Sequence, residues 1–111
     1  MEKINQNLMN VDYESLKEIW KQECLVITLA YTPTCGTCHV AKKMLQVIKA
    51  AMPDLNMTQI NLNYYGDMAI DLEIMSVPCI MIHKKGKCIE KIYAFESVPF
   101  LYKKITSSFS L

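Results

Sequence analysis

The sequence contains no arginine, three glycines, four prolines and a single tryptophan among its 111 residues. Each scarcity narrows what the chain can be. Without arginine, and with 12 lysines against 11 acids for a formal charge of +1, it lacks the positive field and bidentate forks of a nucleic-acid reader. No nucleic-acid partner is expected. The low glycine and proline content excludes collagen-like and low-complexity chains. The longest uncharged stretch, Cys24 to Ala41, loses its apolar character after Tyr31 and then holds Pro33, Gly36 and several threonines. It is far too short to span a bilayer, so no membrane partner is expected. There is no glycine-rich phosphate loop, nucleophile elbow or paired-carboxylate arrangement, which sets aside kinase, hydrolase and glycosidase readings. Residues Met1 to Asn7 are polar, without the apolar core or small-residue cleavage site of a secretory signal, so a cytoplasmic location is expected.

What is present is a composition of 51% hydrophobic and 21% charged residues, which predicts one globular domain over residues 1–111. A chain of this size buries about 65% of the surface it exposes when unfolded, enough for a core without disulfide staples or a structural metal. Its five cysteines therefore need another explanation. In a reducing compartment that explanation is thiol chemistry or metal binding.

Apolar spacing gives the element order. Leu16, Ile19 and Trp20 share one side of a short helix that starts at Asp12, a fitting N-cap, and ends near Cys24, which is expected at the core or its boundary. Leu25 to Tyr31 is almost continuously apolar, the pattern of a strand covered on both faces. After Thr32-Pro33-Thr34, the positions Val40, Met44, Val47, Ile48 and Ala51 predict a helix from Cys35 to Met52, stopped by Pro53. Met57 to Leu62 alternates, so a strand with one wetter face is expected. Met68, Leu72 and Met75 form a helical stripe over Asp67 to Met75, ahead of the break at Ser76-Val77-Pro78. Cys79 to His83 and Cys88 to Tyr93 then read as a hairpin around the loop Lys84-Lys85-Gly86-Lys87, pairing 83 with 88, 81 with 90 and 79 with 92. A last helix opens at Ser97 with Pro99 in its first turn and Phe100, Leu101 and Ile105 inward. A right-handed crossover through the long helix makes the first two strands parallel, giving a three-layer α/β sandwich.

Chemistry concentrates in Cys35-Gly36-Thr37-Cys38, where the buried strand ends and the long helix begins. Free backbone N–H groups and the positive end of the helix dipole favour an anion there, so Cys35 is held as the nucleophilic thiolate. Gly36 permits a tight turn and the close approach of another chain. Cys38, one turn on, can close a disulfide with Cys35. A lone CxxC is also half of a zinc site, but no second CxxC completes one, and the strand-turn-helix setting favours redox chemistry.

With Val77-Pro78 ahead of the hairpin, these features resemble the thioredoxin family along the chain from Asp12 through the Ser97 helix. The resemblance implies the thioredoxin fold, a three-layer α/β/α sandwich with a central mixed β-sheet. It implies thiol-disulfide oxidoreductase activity that reduces protein or small-molecule disulfides through a Cys35-Cys38 couple, with Cys35 as nucleophile and Cys38 as resolving thiol. It places substrate against Thr34, Gly36, Thr37, Val77 and a cis Pro78, and requires no cofactor beyond the cysteine pair. Implied partners are disulfide-containing protein substrates and, as electron donor, a thioredoxin-reductase-like flavoenzyme or a low-molecular-weight thiol. The protein is expected to be a monomer.

Departures from the family are informative. Leu29 and Gln59 stand where thioredoxins keep a buried aspartate and its lysine partner, so Cys38 must use water or another base. Tyr31 and Thr34 replace two tryptophans, and Thr37 replaces proline. A threonine there can donate toward the Cys35 sulfur, and a stabilised thiolate makes the dithiol less reducing. Accessory candidates are His39, whose imidazolium would favour thiolate, and Cys79, a third redox thiol or metal ligand beside Pro78. Two alternatives stand beside the reductase. One is a metal or iron-sulfur carrier that uses Cys35 and Cys38 with Cys79 or a second chain supplying the remaining ligands, and the other is a binding module that keeps the groove without turnover.

Overall fold

The computed structural model describes residues 8–110, so the expectation on Met1 to Asn7 lies outside the described residues. The chain runs β1 (Met9–Asn10), α1 (Tyr13–Gln22), β2 (Leu25–Tyr31), α2 (Gly36–Ala51), β3 (Asn56–Asn61), α3 (Gly66–Asp71), β4 (Cys79–Lys84), β5 (Lys87–Ile92) and α4 (Val98–Ser107). The strands form one sheet in the order β1-β3-β2-β4-β5. The first three neighbours are parallel, whereas β4 is antiparallel to β2 and β5 to β4. β2 lies at the centre with Val26 to Ala30 buried, which is why its sequence shows no polar alternation.

Helices cover both faces. On one, Ile27, Leu29 and Ile80 pack among Ala41, Leu45 and Ile48 of α2 and Leu101 and Ile105 of α4. On the other, Val26, Ala30, Cys79 and Met81 pack among Leu16 and Trp20 of α1 and Met68 of α3. This is the expected α/β/α sandwich. Truncating a fully buried side chain such as Leu45 or Leu101 to alanine costs about 2–5 kcal/mol. The predicted caps form as well. The Asp12 carboxylate accepts from the Ser15 N–H at 2.7 Å, and the Ser97 hydroxyl accepts from the Phe100 N–H at 3.1 Å.

Six local expectations are corrected. The buried stripe of α2 is Cys38, Ala41, Leu45 and Ile48, while Val40 and Val47 are more than half exposed. β3 has no wet face, because β1 edges it and both its faces are covered, leaving Met57 to Ile60 all buried. α3 stops at Asp71 and Glu73 turns the chain at φ 53°, which leaves Met75 out in solvent. The hairpin loop is two residues long, with Lys84 paired to Lys87 and positive φ at both Lys85 (52°) and Gly86 (84°), the geometry that suits the strand twist. An irregularity beside Ile82 and His83 shifts the register so that Met81 pairs with Lys91 and Ile80 with Ile92, although His83 does pair with Cys88. Cys24, finally, is exposed rather than packed.

Candidate functional site

The β2–α2 loop turns through Thr32-Pro33-Thr34, where the Cys35 N–H bonds the Thr32 carbonyl at 3.2 Å. That turn makes Cys35 the N-cap of α2 with extended backbone. Its sulfur accepts from the Cys38 N–H at 3.2 Å and lies 3.4 Å from Thr37 Oγ1. A backbone donor that would otherwise be orphaned at the helix start and a neighbouring hydroxyl thus converge on one sulfur, where they favour negative charge. Cys35 and Cys38 are joined as a disulfide, with Cα atoms 5.2 Å apart. The two sulfurs are not equivalent. Cys35 is half-buried at the rim, whereas Cys38 is 3% exposed beneath it. An incoming chain can reach only the first.

Thr34, Gly36 and Thr37 form an exposed rim around Cys35. A Cβ added at Gly36 would meet nothing within 4 Å, and positive φ among the glycines occurs only at Gly86, so the turn itself does not demand glycine at 36. β4 begins at Cys79 opposite Ala30, which brings Val77 and Pro78 to the same sheet end as the Thr32–Cys35 loop. The Val77–Pro78 bond is cis, with Pro78 buried and Val77 half-buried.

Cys79 does not join the dithiol. It lies at 0% exposure among Ala30, Met68 and Met81, on the sheet face opposite Leu29 and α2. Burial pushes its thiol up to about 11, only partly opposed by a hydrogen bond from Tyr93. His39 is exposed, and its Nε2 lies 3.2 Å from the Pro33 carbonyl. Behind Cys38 is a cavity of about 130 Å³ walled by Leu29, Tyr31, Cys38, His39, Lys42 and Gln59. Leu29 pairs with Gln59 across β2 and β3, and both are almost wholly buried. Sequence reasoning missed Lys42, although its position four residues after Cys38 puts both on one helix face. It also missed Asn10, whose Oδ1 accepts from the Tyr31 hydroxyl at 3.0 Å.

No helix among the described residues is long and apolar enough to cross a membrane. Among those residues no group of three His, Cys, Asp or Glu comes together to hold a metal ion.

An accessible sulfur at a helix start, closed onto a sheltered partner one turn later, is the equipment of a thiol-disulfide oxidoreductase. Comparison with known proteins agrees. The thioredoxin family model matches residues 7–107, and the chain belongs to the thioredoxin family. A thioredoxin-like protein of Bacillus subtilis strain 168, YusE, is 49% identical over 75 residues, covering 68% of this chain and 71% of that protein. Thioredoxin-1 of Saccharomyces cerevisiae is 25% identical over 71 residues, or 64% of this chain and 69% of that one. Among solved structures, thioredoxin from Trypanosoma brucei brucei superposes with a TM-score of 0.84 at 14% identity, covering 100% of this chain and 98% of that one. Oxidised mitochondrial thioredoxin 3 from S. cerevisiae gives 0.80 at 22% identity, with 90% and 94% covered.

Proposed function

We propose that this protein is a monomeric, single-domain cytoplasmic reductase of disulfides in other proteins. The Cys35 thiolate attacks a substrate disulfide, a mixed disulfide forms, and the substrate's other sulfur leaves with the electron pair. Cys38 then attacks the Cys35 sulfur, closing the Cys35–Cys38 disulfide and releasing the second substrate sulfur as thiolate. Thr34, Gly36, Thr37, Val77 and Pro78 hold the substrate chain. A thioredoxin-reductase-like flavoenzyme or a low-molecular-weight thiol returns two electrons to the pair.

The observation that carries this reading is the asymmetry of the pair: the Cys35 sulfur sits at the rim with the Cys38 N–H on it at 3.2 Å, while Cys38 is sheltered. The test is insulin reduction by dithiothreitol, followed by turbidity. Wild type should accelerate it, Cys35→Ser should abolish the acceleration, and Cys38→Ser should trap a mixed disulfide through Cys35. A wild type that gives no acceleration despite a reducible Cys35–Cys38 bond would favour the binding module instead.

A further inference from the structure

Cys38 must lose a proton before it attacks, and the side chain beneath it, Leu29, has no lone pair to accept one. Cys38 is 3% exposed, so bulk solvent does not reach its sulfur freely. The cavity behind it, at about 130 Å³, is wide enough to admit water. Among the described residues no carboxylate lines this cavity, and their polar contribution to its wall is Asn10, Tyr31, His39, Lys42 and Gln59. Four of these do not serve as bases. The Tyr31 hydroxyl donates to Asn10 Oδ1 at 3.0 Å, an ammonium such as Lys42 has donors only, and the amides of Asn10 and Gln59 take up no proton near neutrality.

His39 remains. Its Nε2 lies 3.2 Å from the Pro33 carbonyl, which can only accept, so Nε2 carries the hydrogen. In the neutral ring that tautomer leaves the lone pair on Nδ1. We propose that His39 is the proton acceptor for Cys38 in the resolving step, acting across the cavity that the two residues share. The inference rests on the reductase reading above and adds the base which that reading leaves open.

The step balances. Nδ1 takes the Cys38 proton, the thiolate forms a bond to the Cys35 sulfur, and the bond from Cys35 to substrate breaks with its electron pair on the substrate sulfur. The imidazolium then passes its proton to that leaving thiolate or to water. Lys42 is the one formal charge that the described residues place on the cavity wall.

The test separates the two chemical steps. Reduced protein is mixed with a short disulfide-bridged peptide, quenched in acid at intervals, and the mixed disulfide is followed by mass spectrometry. In His39→Gln, whose amide can still donate to the Pro33 carbonyl, mixed-disulfide formation should keep its wild-type rate. Decay of that species should slow about tenfold or more at pH 7. The pH dependence of the decay rate should differ between wild type and variant. Added imidazole should restore part of the decay rate in His39→Ala, and Lys43→Gln, on the exposed side of α2, should behave as wild type. Wild-type decay and an unchanged pH profile in His39→Gln would overturn the role of His39 alone. Failure of the wild type to form any mixed disulfide would instead overturn the reductase reading on which it depends.

Discussion

The loop that ends β2 and the strand that begins β4 lie at the same end of the sheet, yet each treats its cysteine differently. Cys35 occupies a helix N-terminus with donors from Cys38 and Thr37 on its sulfur and with solvent at hand. Cys79 sits at 0% exposure on the far face, where the loss of water pushes its thiol up to about 11. A place at the same sheet end as the dithiol therefore confers no reactivity, which comes from donors and access. The difference can be broken by labelling. With its thiol near 11, Cys79 is ionised in about one molecule in ten thousand at pH 7. Reduced protein treated with iodoacetamide should carry label on Cys35 at least about a thousand times faster than on Cys79, as read by peptide mass spectrometry. Comparable labelling would show that the β4 strand opens readily or that Cys79 faces the dithiol.

The two histidines sharpen the same contrast at opposite ends of β2. His39 is exposed beside the dithiol, while His83 is 2% exposed, stacked on Trp20 at 3.7 Å, with Nδ1 unpartnered. Burial, with a smaller contribution from the Lys91 charge, lowers His83 from 6.5 to about 4. Between those values the unfolded chain binds a proton that the folded one refuses, so stability falls as pH drops from 6.5 toward 4 and is complete above that window. The share assigned to His83 is on the order of 3 kcal/mol. Urea unfolding of wild type and His83→Phe, which keeps an aromatic ring against Trp20, should give stabilities that diverge by that amount between pH 7.5 and 4. Parallel pH profiles would mean that the buried imidazole is already satisfied.

The sequence and the structure agree best where chemistry and burial point the same way. The continuous apolar run of β2 and the caps at Asp12 and Ser97 were legible because each has a single physical reading. α2 was harder to phase, because Val40, Met44, Val47 and Leu45 spread apolar groups around the helix. Its orientation is set by the cap instead: with Cys35 at the start, Cys38, Ala41, Leu45 and Ile48 fall on the inner side. β1 spans only Met9–Asn10, both exposed, too short to show a period. The hairpin turn uses a lysine at φ 52°, which composition does not reveal, and the register irregularity beside His83 has no sequence marker. At the site, the CxxC pair was legible from spacing, whereas the cavity behind Cys38 needed β2, α2 and β3 in place to bring Leu29, His39, Lys42 and Gln59 around it. The face on which Cys79 lies likewise follows from its pairing with Ala30, not from its place after Pro78.

The smallest effect falls on Cys35 itself, where two donors can be separated. The Cys38 N–H belongs to the helix and stays in any variant, but the Thr37 hydroxyl 3.4 Å from the sulfur is a side chain and can be removed. A hydroxyl aimed at a sulfur stabilises the thiolate more than the disulfide, so its presence makes the dithiol easier to form and the protein a milder reductant. Thr37→Val keeps the shape and deletes the donor. At 3.4 Å the bond is long, and a contribution of about 0.7–1.4 kcal/mol corresponds to about 15–30 mV for a two-electron couple. Equilibration with a glutathione redox buffer should therefore place the variant about 15–30 mV lower than wild type, toward stronger reduction. An unchanged potential would mean that the helix N–H alone holds the thiolate, so that the poise of the site is set by the backbone of α2 and not by the residue between its cysteines.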